Sequence, residues 1–197
     1  TIYALSNQAN RHNEKMLQEY ETSNKVRRCI INSIDTRHGT KTTFPAFVEN
    51  SCIAEHVLCL VPNAPVFINR NLTVKLHGSS KDTYVGNGTP AICLEITNSC
   101  IVLRLVSGEV VSVERSSFEL DDGYEREQFP LILGWASTIH KVQGMQFPKI
   151  IVDFCLDAGR SAIRDSSRPF RQGMAYMAMS RSNCVAIQGT ITLELLN

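Results

Sequence analysis

The run Trp135-Ala-Ser-Thr-Ile-His-Lys-Val-Gln-Gly144 places two hydroxyls, an imidazole, an ammonium and a carboxamide between residues 137 and 143. The apolar stretch before it, from Pro130 to Ala136, has the character of a parallel strand buried on both faces. Such a strand leads straight into a helix, with Ser137 or Thr138 as its cap and Gly144 as its stop. The first turn of that helix exposes unpaired N–H groups at the positive end of the dipole, and the chemistry it favours is the binding of an anion such as phosphate. Taken singly, each residue also has an ordinary use: Ser and Thr cap most helices, a lone His is commonly satisfied in place, and Lys141 can be solvated.

A second stretch, Gly173-Met-Ala-Tyr-Met-Ala-Met-Ser-Arg181, ends a helical pattern on an arginine, with Met174, Met177 and Ala178 facing inward. A guanidinium is planar, always charged and matched to phosphate oxygens. From Thr138 to Arg181 there are seven basic residues (Lys141, Lys149, Arg160, Arg164, Arg168, Arg171 and Arg181) against three acidic ones (Asp153, Asp157 and Asp165). From Glu109 to Glu127 seven acids face only Arg115 and Arg126. A locally basic face is what a phosphate-binding surface requires, although a solvated surface of mixed charge shows the same pattern.

The chain does not carry the rest of a nucleotide site. Nothing in its 197 residues matches the phosphate loop G-x-x-x-x-G-K-[ST], and no acidic pair follows an apolar strand to hold a metal. The seven cysteines are an odd number without a C-x-x-C pair, as expected of reduced thiols packed as small hydrophobes in an intracellular, reducing compartment. No metal site is expected from them. No apolar run approaches the roughly 18–20 residues of a membrane span, and the chain opens without the basic and apolar regions of a secretory signal.

The elements that must position these residues alternate between strands and helices. Thr1 to Leu5 reads as a buried strand and Asn7 to Tyr20 as a helix; Ser33 to Asn50 reads as an irregular connection. Two short apolar runs follow, Val57 to Val61 and Pro65 to Ile68. From Val85 to Leu120 short strands predominate, and Ser107-Gly108 is a two-residue hairpin turn, which together predict a small antiparallel, barrel-like insertion. The α/β pattern then resumes with strands at 130–136, 149–154 and 184–187, and helices from Ser137 or Thr138 to Gln143 and from Gly173 to Arg181. Strands alternating with single helices predict a mostly parallel sheet.

As a string, Thr138-Ile-His-Lys-Val-Gln-Gly144 resembles motif V of the Pif/RecD-like superfamily 1 DNA helicases, and Gly173 to Arg181 resembles their motif VI. Asn63-Ala-Pro-Val-Phe-Ile-Asn-Arg-Asn-Leu72 with Val85-Gly-Asn-Gly-Thr89 is similar to the family segment leading into an inserted barrel. Leu5 to Leu17, with Asn13, followed by Ser33-Ile-Asp35, is similar to the first strand and helix after motif III. The four matches cover nearly the whole chain in the family's order.

The resemblance implies a second RecA-like α/β domain at residues 1–75 and 120–197, interrupted near 76–119 by a small Src-homology-three-like β-barrel. It implies that Arg181 is the catalytic arginine reaching the γ-phosphate, with Gln143 and Gly144 beside the nucleotide and Thr138, His140 and Lys141 toward the DNA. Gln146 stands where the family has a phosphate-contacting Thr, and Met174 replaces the usual Gln. Tyr176 and Ser180 take packing or positioning roles. The implied cofactors are ATP and Mg²⁺, the metal held mainly by an N-terminal RecA-like half. The implied partners are that half, single-stranded DNA and duplex junctions, with no membrane partner. The implied activity is 5′-to-3′ unwinding in replication, repair or recombination, in a nucleus or mitochondrion if eukaryotic and otherwise in a cytoplasmic or viral setting. The alternative is a non-catalytic, helicase-derived module that binds DNA or protein.

Overall fold

The computed structural model describes residues 1–142, 147, 149–153, 174–183 and 185–188. It divides into two compact units, one of Thr1–Met16 with Trp135–Asn197 and one of Leu17–Gly134.

The first unit carries an all-parallel sheet in the order Ser137–Thr138, Ile2–Tyr3, Ile150–Asp153, Val185–Gln188. Ile2, Ile150 and Val152 are buried with Ala4, Ile139, Val142 and Ala178. Helix Met174–Met179 packs Met177 and Ala178 into this core, as the sequence pattern predicts, while the Met174 side chain lies outside the described residues. The expected strands at 1–5, 149–154 and 184–187 are represented by Ile2–Tyr3, Ile150–Asp153 and Val185–Gln188, while Phe154 and Cys184 lie outside the described residues.

Helix Ser6–Asn24 buries Ala9, Asn13 and Leu17, spaced four apart on one face. It runs past the expected end at Tyr20 and stops where Lys25 takes a left-handed φ of 54°. There the Val26 N–H bonds to the Glu21 carbonyl at 3.2 Å, closing the helix in a Schellman-type turn.

Three sequence expectations need correction. The stretch from Pro130 to Ala136 is not one parallel strand: Leu131–Leu133 pairs antiparallel with Pro65–Ile68, and Ser137–Thr138 pairs parallel with Ile2–Tyr3. Gly134 makes the break. Its N–H bonds to the Pro65 carbonyl at 2.8 Å, and a Cβ there would lie 3.1 Å from the Pro65 and Val66 backbone, so only glycine fits without a shift.

The helix expected from Ser137 or Thr138 is replaced by strand and turn. The Ile139 N–H is taken by the Tyr3 carbonyl at 3.0 Å, which prolongs the sheet pairing, and a turn over residues 139–142 follows. Within it the Val142 N–H bonds to the Thr138 carbonyl at 3.2 Å. Neither Ser137 nor Thr138 is therefore a cap.

The supposedly irregular Ser33 to Asn50 forms strands Ile34–Arg37 and Thr40–Lys41 and helix Ala46–Ser51. Ile34–Arg37 pairs locally with Thr40–Lys41, but its longer partner, Tyr124–Gln128, comes nearly 90 residues later in the chain, where no local pattern points to it.

The second unit is antiparallel throughout. Its largest sheet runs Leu131–Leu133, Pro65–Ile68, Pro90–Ile96, Cys100–Leu105, Val110–Glu114, Leu72–Leu76, Asp82–Val85. The expected hairpin around Ser107-Gly108 is present, but its loop has three residues, Val106 to Gly108, and not two: the Leu105 N–H bonds to the Glu109 carbonyl at 2.8 Å and the Gly108 N–H to the Leu105 carbonyl at 3.0 Å, with Gly108 at φ 91°. This sheet extends beyond the sequence-based limits of 76–119 on both sides. A four-stranded sheet (Ser116–Glu119, Tyr124–Gln128, Ile34–Arg37, Thr40–Lys41) and the ribbon of Cys29–Asn32 with Val57–Leu60 complete the unit. None of the described helices is long and apolar enough to cross a membrane.

Candidate functional site

In the first unit Asn13, 9% exposed on helix Ser6–Asn24, grips the backbone of a single residue on both sides of its Cα. Its Oδ1 accepts the Ala136 N–H at 2.7 Å and its Nδ2 donates to the Ala136 carbonyl at 3.0 Å. Both backbone groups are thereby satisfied just before the strand begins, and the residues beyond are delivered in a fixed register. The sequence signal for this residue was a polar side chain on an otherwise apolar helical stripe.

Beyond the clamp, Thr138 is 5% exposed and lies in the sheet, whereas His140 and Lys141 are exposed in the turn that follows. Thr138 in this arrangement holds backbone register; it does not present its side chain to solvent. His140 and Lys141 follow the carboxyl end of a parallel strand, the end at which α/β sheets bind ligands.

Ser137 is 6% exposed and its Oγ is buried without a hydrogen-bond partner among the described residues. A hydroxyl in that position costs its desolvation with no return. Ser137→Ala is accordingly expected to leave the melting temperature of the chain unchanged or to raise it, by up to about 1 kcal/mol of stability. A clear fall in the thermal denaturation midpoint would show that the hydroxyl is bonded.

Arg181 follows helix Met174–Met179 and is half-buried. Its Nε donates to the Met177 carbonyl at 3.1 Å and to Ser180 Oγ at 3.2 Å, and its Nη2 donates to Ser180 Oγ at 2.7 Å. Its own carbonyl accepts the Phe147 N–H at 2.9 Å, which ties the end of this helix to the segment just after Gly144. No carboxylate pairs with the guanidinium among the described residues. A guanidinium held only by neutral oxygens retains its charge for an anionic ligand.

Arg181 precedes the amino end of Val185–Gln188, whereas His140 and Lys141 follow the carboxyl end of Ser137–Thr138. The candidate residues thus sit toward opposite ends of one parallel sheet. Gln143, Gly144 and Gln146, together with Arg160, Arg164, Arg168 and Arg171, lie outside the described residues.

The second unit holds a charged centre that the sequence pattern did not single out. Arg126, fully buried, is bidentate to Asp35 (2.8 and 2.7 Å) and to Glu49 (2.9 and 2.6 Å), and also donates to the Ala54 carbonyl at 2.9 Å. The Phe44 ring lies 4.6 Å from the guanidinium carbon. His56 Nδ1 stands 3.2 Å from Asp35 Oδ2.

Burial pushes the Asp35 carboxyl up, but hydrogen bonds from Arg126 and Ser33 outweigh it and hold the group below its ordinary value. Glu49 is held low first by its hydrogen bonds from Arg126, against a smaller opposing effect of burial. Asp35, Glu49 and His56 bring ligand atoms within 4.8 Å of one another, but both carboxylates already have their positive charge in Arg126. The alternation in Tyr124–Gln128, which buries Tyr124, Arg126 and Gln128, was the one available signal.

No family model matches the chain. The ATP-dependent DNA helicase Pif1 of Bdellovibrio bacteriovorus is 30% identical over 178 residues, which are 88% of this chain and 34% of that protein. The human ATP-dependent DNA helicase PIF1 is 28% identical over 189 residues, 92% of this chain and 25% of that protein. The chain thus spans about a third or less of the length of these curated relatives. In fold it is similar to a Pif1 structure concerned with unwinding of forked double-stranded DNA (TM-score 0.69, 24% identity, all of this chain and 40% of that one). It is also similar to Bacteroides Pif1 in complex with ADP-AlF3 and single-stranded DNA (TM-score 0.65, 23% identity, all of this chain and 41% of that one).

Proposed function

The chain is Pif1-like by sequence and by fold, and we propose that it is the C-terminal motor portion of an ATP-dependent DNA helicase that translocates 5′ to 3′ on single-stranded DNA. The observation that carries the reading is the joining of the two motif-like stretches in one parallel-sheet unit, with Arg181 bonded through its carbonyl to Phe147. The first unit is the second RecA-like domain in this proposal, and the strands from 76 to 119 belong to its Src-homology-three-like insertion.

The residues present fit part of a nucleotide site. Arg181, free of carboxylate partners among the described residues, suits a phosphate, whereas the chain contains no phosphate loop to hold ATP and Mg²⁺. ATP, held by the N-terminal RecA-like half, would supply the free energy for stepping when bound. Arg181 stabilises charge on the transferring phosphoryl group, and Gln143 and Gly144 lie beside the nucleotide.

Lys141 and His140, with Gln146 in the same stretch, grip the DNA through its phosphates. The affinity is therefore independent of sequence and sensitive to salt. Thr138, buried, serves this function by holding the turn in place. The free thiols of Cys29, Cys52, Cys59, Cys93 and Cys100 suit a reducing intracellular compartment.

The test compares two proteins. This chain alone is expected to show no ATPase above background, and the polypeptide carrying both motor halves is expected to hydrolyse ATP on addition of single-stranded DNA and to unwind a duplex with a 5′ overhang. Mg²⁺-dependent turnover by the chain alone would overturn the division of labour. DNA binding without any turnover by the two-half protein would favour a non-catalytic module.

A further inference from the structure

Ser180 Oγ uses its whole hydrogen-bonding capacity on one task. A hydroxyl has one proton to give and two lone pairs to offer. Here the proton goes to the Met177 carbonyl at 2.9 Å, and the oxygen accepts from Arg181 Nε at 3.2 Å and from Arg181 Nη2 at 2.7 Å. The direction of the hydroxyl is set by the helix, because Met177 lies three residues back on the same turn, and the Ser180 N–H is itself bonded to the Tyr176 carbonyl at 2.9 Å.

The consequence for the arginine follows from its donor inventory. Of five N–H bonds on a guanidinium, the Nε–H is shared between the Met177 carbonyl and Ser180, and one Nη2–H points at Ser180. Both Nη1 hydrogens and the second Nη2 hydrogen have no acceptor among the described residues. These three form the end of the fork that matches two oxygens of a phosphoryl group. The Phe147 N–H to Arg181 carbonyl bond at 2.9 Å anchors the backbone. The side chain is therefore fixed at both the main chain and the Nε edge, with its charged end left over.

We propose that Ser180 is a positioning residue for Arg181: its hydroxyl locks the Nε/Nη2 edge of the guanidinium against the helix end so that the Nη1/Nη2 end is aimed as a preset fork at an anionic phosphoryl group. This rests on the reading of Arg181 as the arginine that meets the nucleotide. Without the hydroxyl the guanidinium keeps its charge and its place in the chain but loses its preset direction. The penalty falls on the step in which the charge must be in position, and not on nucleotide binding.

The test uses the polypeptide with both motor halves, and four variants: Ser180→Ala, Ser180→Thr, Arg181→Ala and the double variant. Ser180→Ala is expected to lower kcat for DNA-stimulated ATP hydrolysis by about tenfold with KM for ATP within about twofold. Ser180→Thr restores most of the rate, because a threonine hydroxyl near a helix end also bonds the carbonyl one turn back. Adding Ser180→Ala to Arg181→Ala produces no further loss, since the serine acts only through the arginine.

In the chain alone, the Arg181 Nε–H resonance exchanges slowly with solvent, and Ser180→Ala speeds that exchange. If Arg181→Ala lacks activity while Ser180→Ala keeps full kcat, the positioning role falls and the arginine reading stands. A fully active Arg181→Ala overturns both. A Ser180→Ala loss that threonine fails to restore, or that adds to the loss of Arg181→Ala, also overturns the proposal, because the serine then acts by another route.

Discussion

Arg181→Ala, in the polypeptide with both motor halves, is expected to nearly abolish DNA-stimulated ATP hydrolysis, with a fall in kcat on the order of 10³–10⁵ as for other arginine fingers. The side chain contributes little that the fold needs. It is half-buried, bonded only to Met177 and Ser180 on its own helix end, and paired with no carboxylate among the described residues. Its removal leaves the Ser180 hydroxyl still bonded to Met177 and strands no buried charge. ATP affinity is expected to change far less than kcat, because the phosphate loop of the other half makes most of the ground-state contacts. Arg181→Lys restores little, as a flexible point charge does not reproduce the fork. The measurement is kcat, ATP affinity and melting temperature in one variant. Normal turnover, or a loss of activity that tracks a loss of folding, removes Arg181 from the catalytic list.

The largest effect on stability is expected at Arg126. Arg126→Met leaves Asp35, 4% exposed, and Glu49 without their shared cation, and breaking a buried pair in this way costs about 3–5 kcal/mol. For a chain of this size that is a fall in melting temperature on the order of 10 °C.

The pH dependence identifies the cause. Both carboxyls titrate below their ordinary values in the folded protein, so their contribution is fully present at neutral pH. It is lost as pH falls from roughly 4, where unfolded carboxylates take up protons, through the lower folded values. In Arg126→Met the same carboxylates are unpaired and gain from protonation, so the gap between the two proteins narrows as the solution is acidified. Thermal denaturation at pH 7 and pH 3 checks this. An equal gap at both would mean that lost packing, for instance against Phe44, and not charge pairing, accounts for the loss.

Local patterns carried much of the fold and long-range pairing carried the rest. The helix expected from Asn7 was legible because Ala9, His12, Met16 and Leu17 recur at near-helical spacing, and the hairpin around Ser107-Gly108 was legible because its turn residues lie between two short apolar strands, although its loop is one residue longer than expected. The stretch from Pro130 to Ala136 was misread because a short apolar run looks the same in a parallel strand and beside a glycine break. Only the approach of Pro65, nearly 70 residues away, makes Gly134 a break. In the candidate site, Lys141 and Arg181 were visible as cations near element ends. The place of Thr138 in a sheet was not, since the strand it pairs with is Ile2–Tyr3 at the far end of the chain. Arg126 escaped notice because its carboxylates come from strand Ile34–Arg37 and helix Ala46–Ser51, neither of which was expected.

The division of the chain also sets an order of assembly. Leu17–Gly134 is one uninterrupted segment, and every strand pair in its sheets closes within it. The other unit begins with Ile2–Tyr3, whose partners Ser137–Thr138 and Val152 come at least 135 residues later. On a ribosome adding residues from the amino end, the internal segment has all its partners once Gly134 has emerged, while Ile2 and Tyr3 still wait for theirs. The parallel sheet that carries Thr138 and leads to Arg181 is thus the last part to form. The loop it must close is already shortened by then, because the intervening 118 residues (17 to 134) have collapsed into a folded body, and its entropic cost is correspondingly lower.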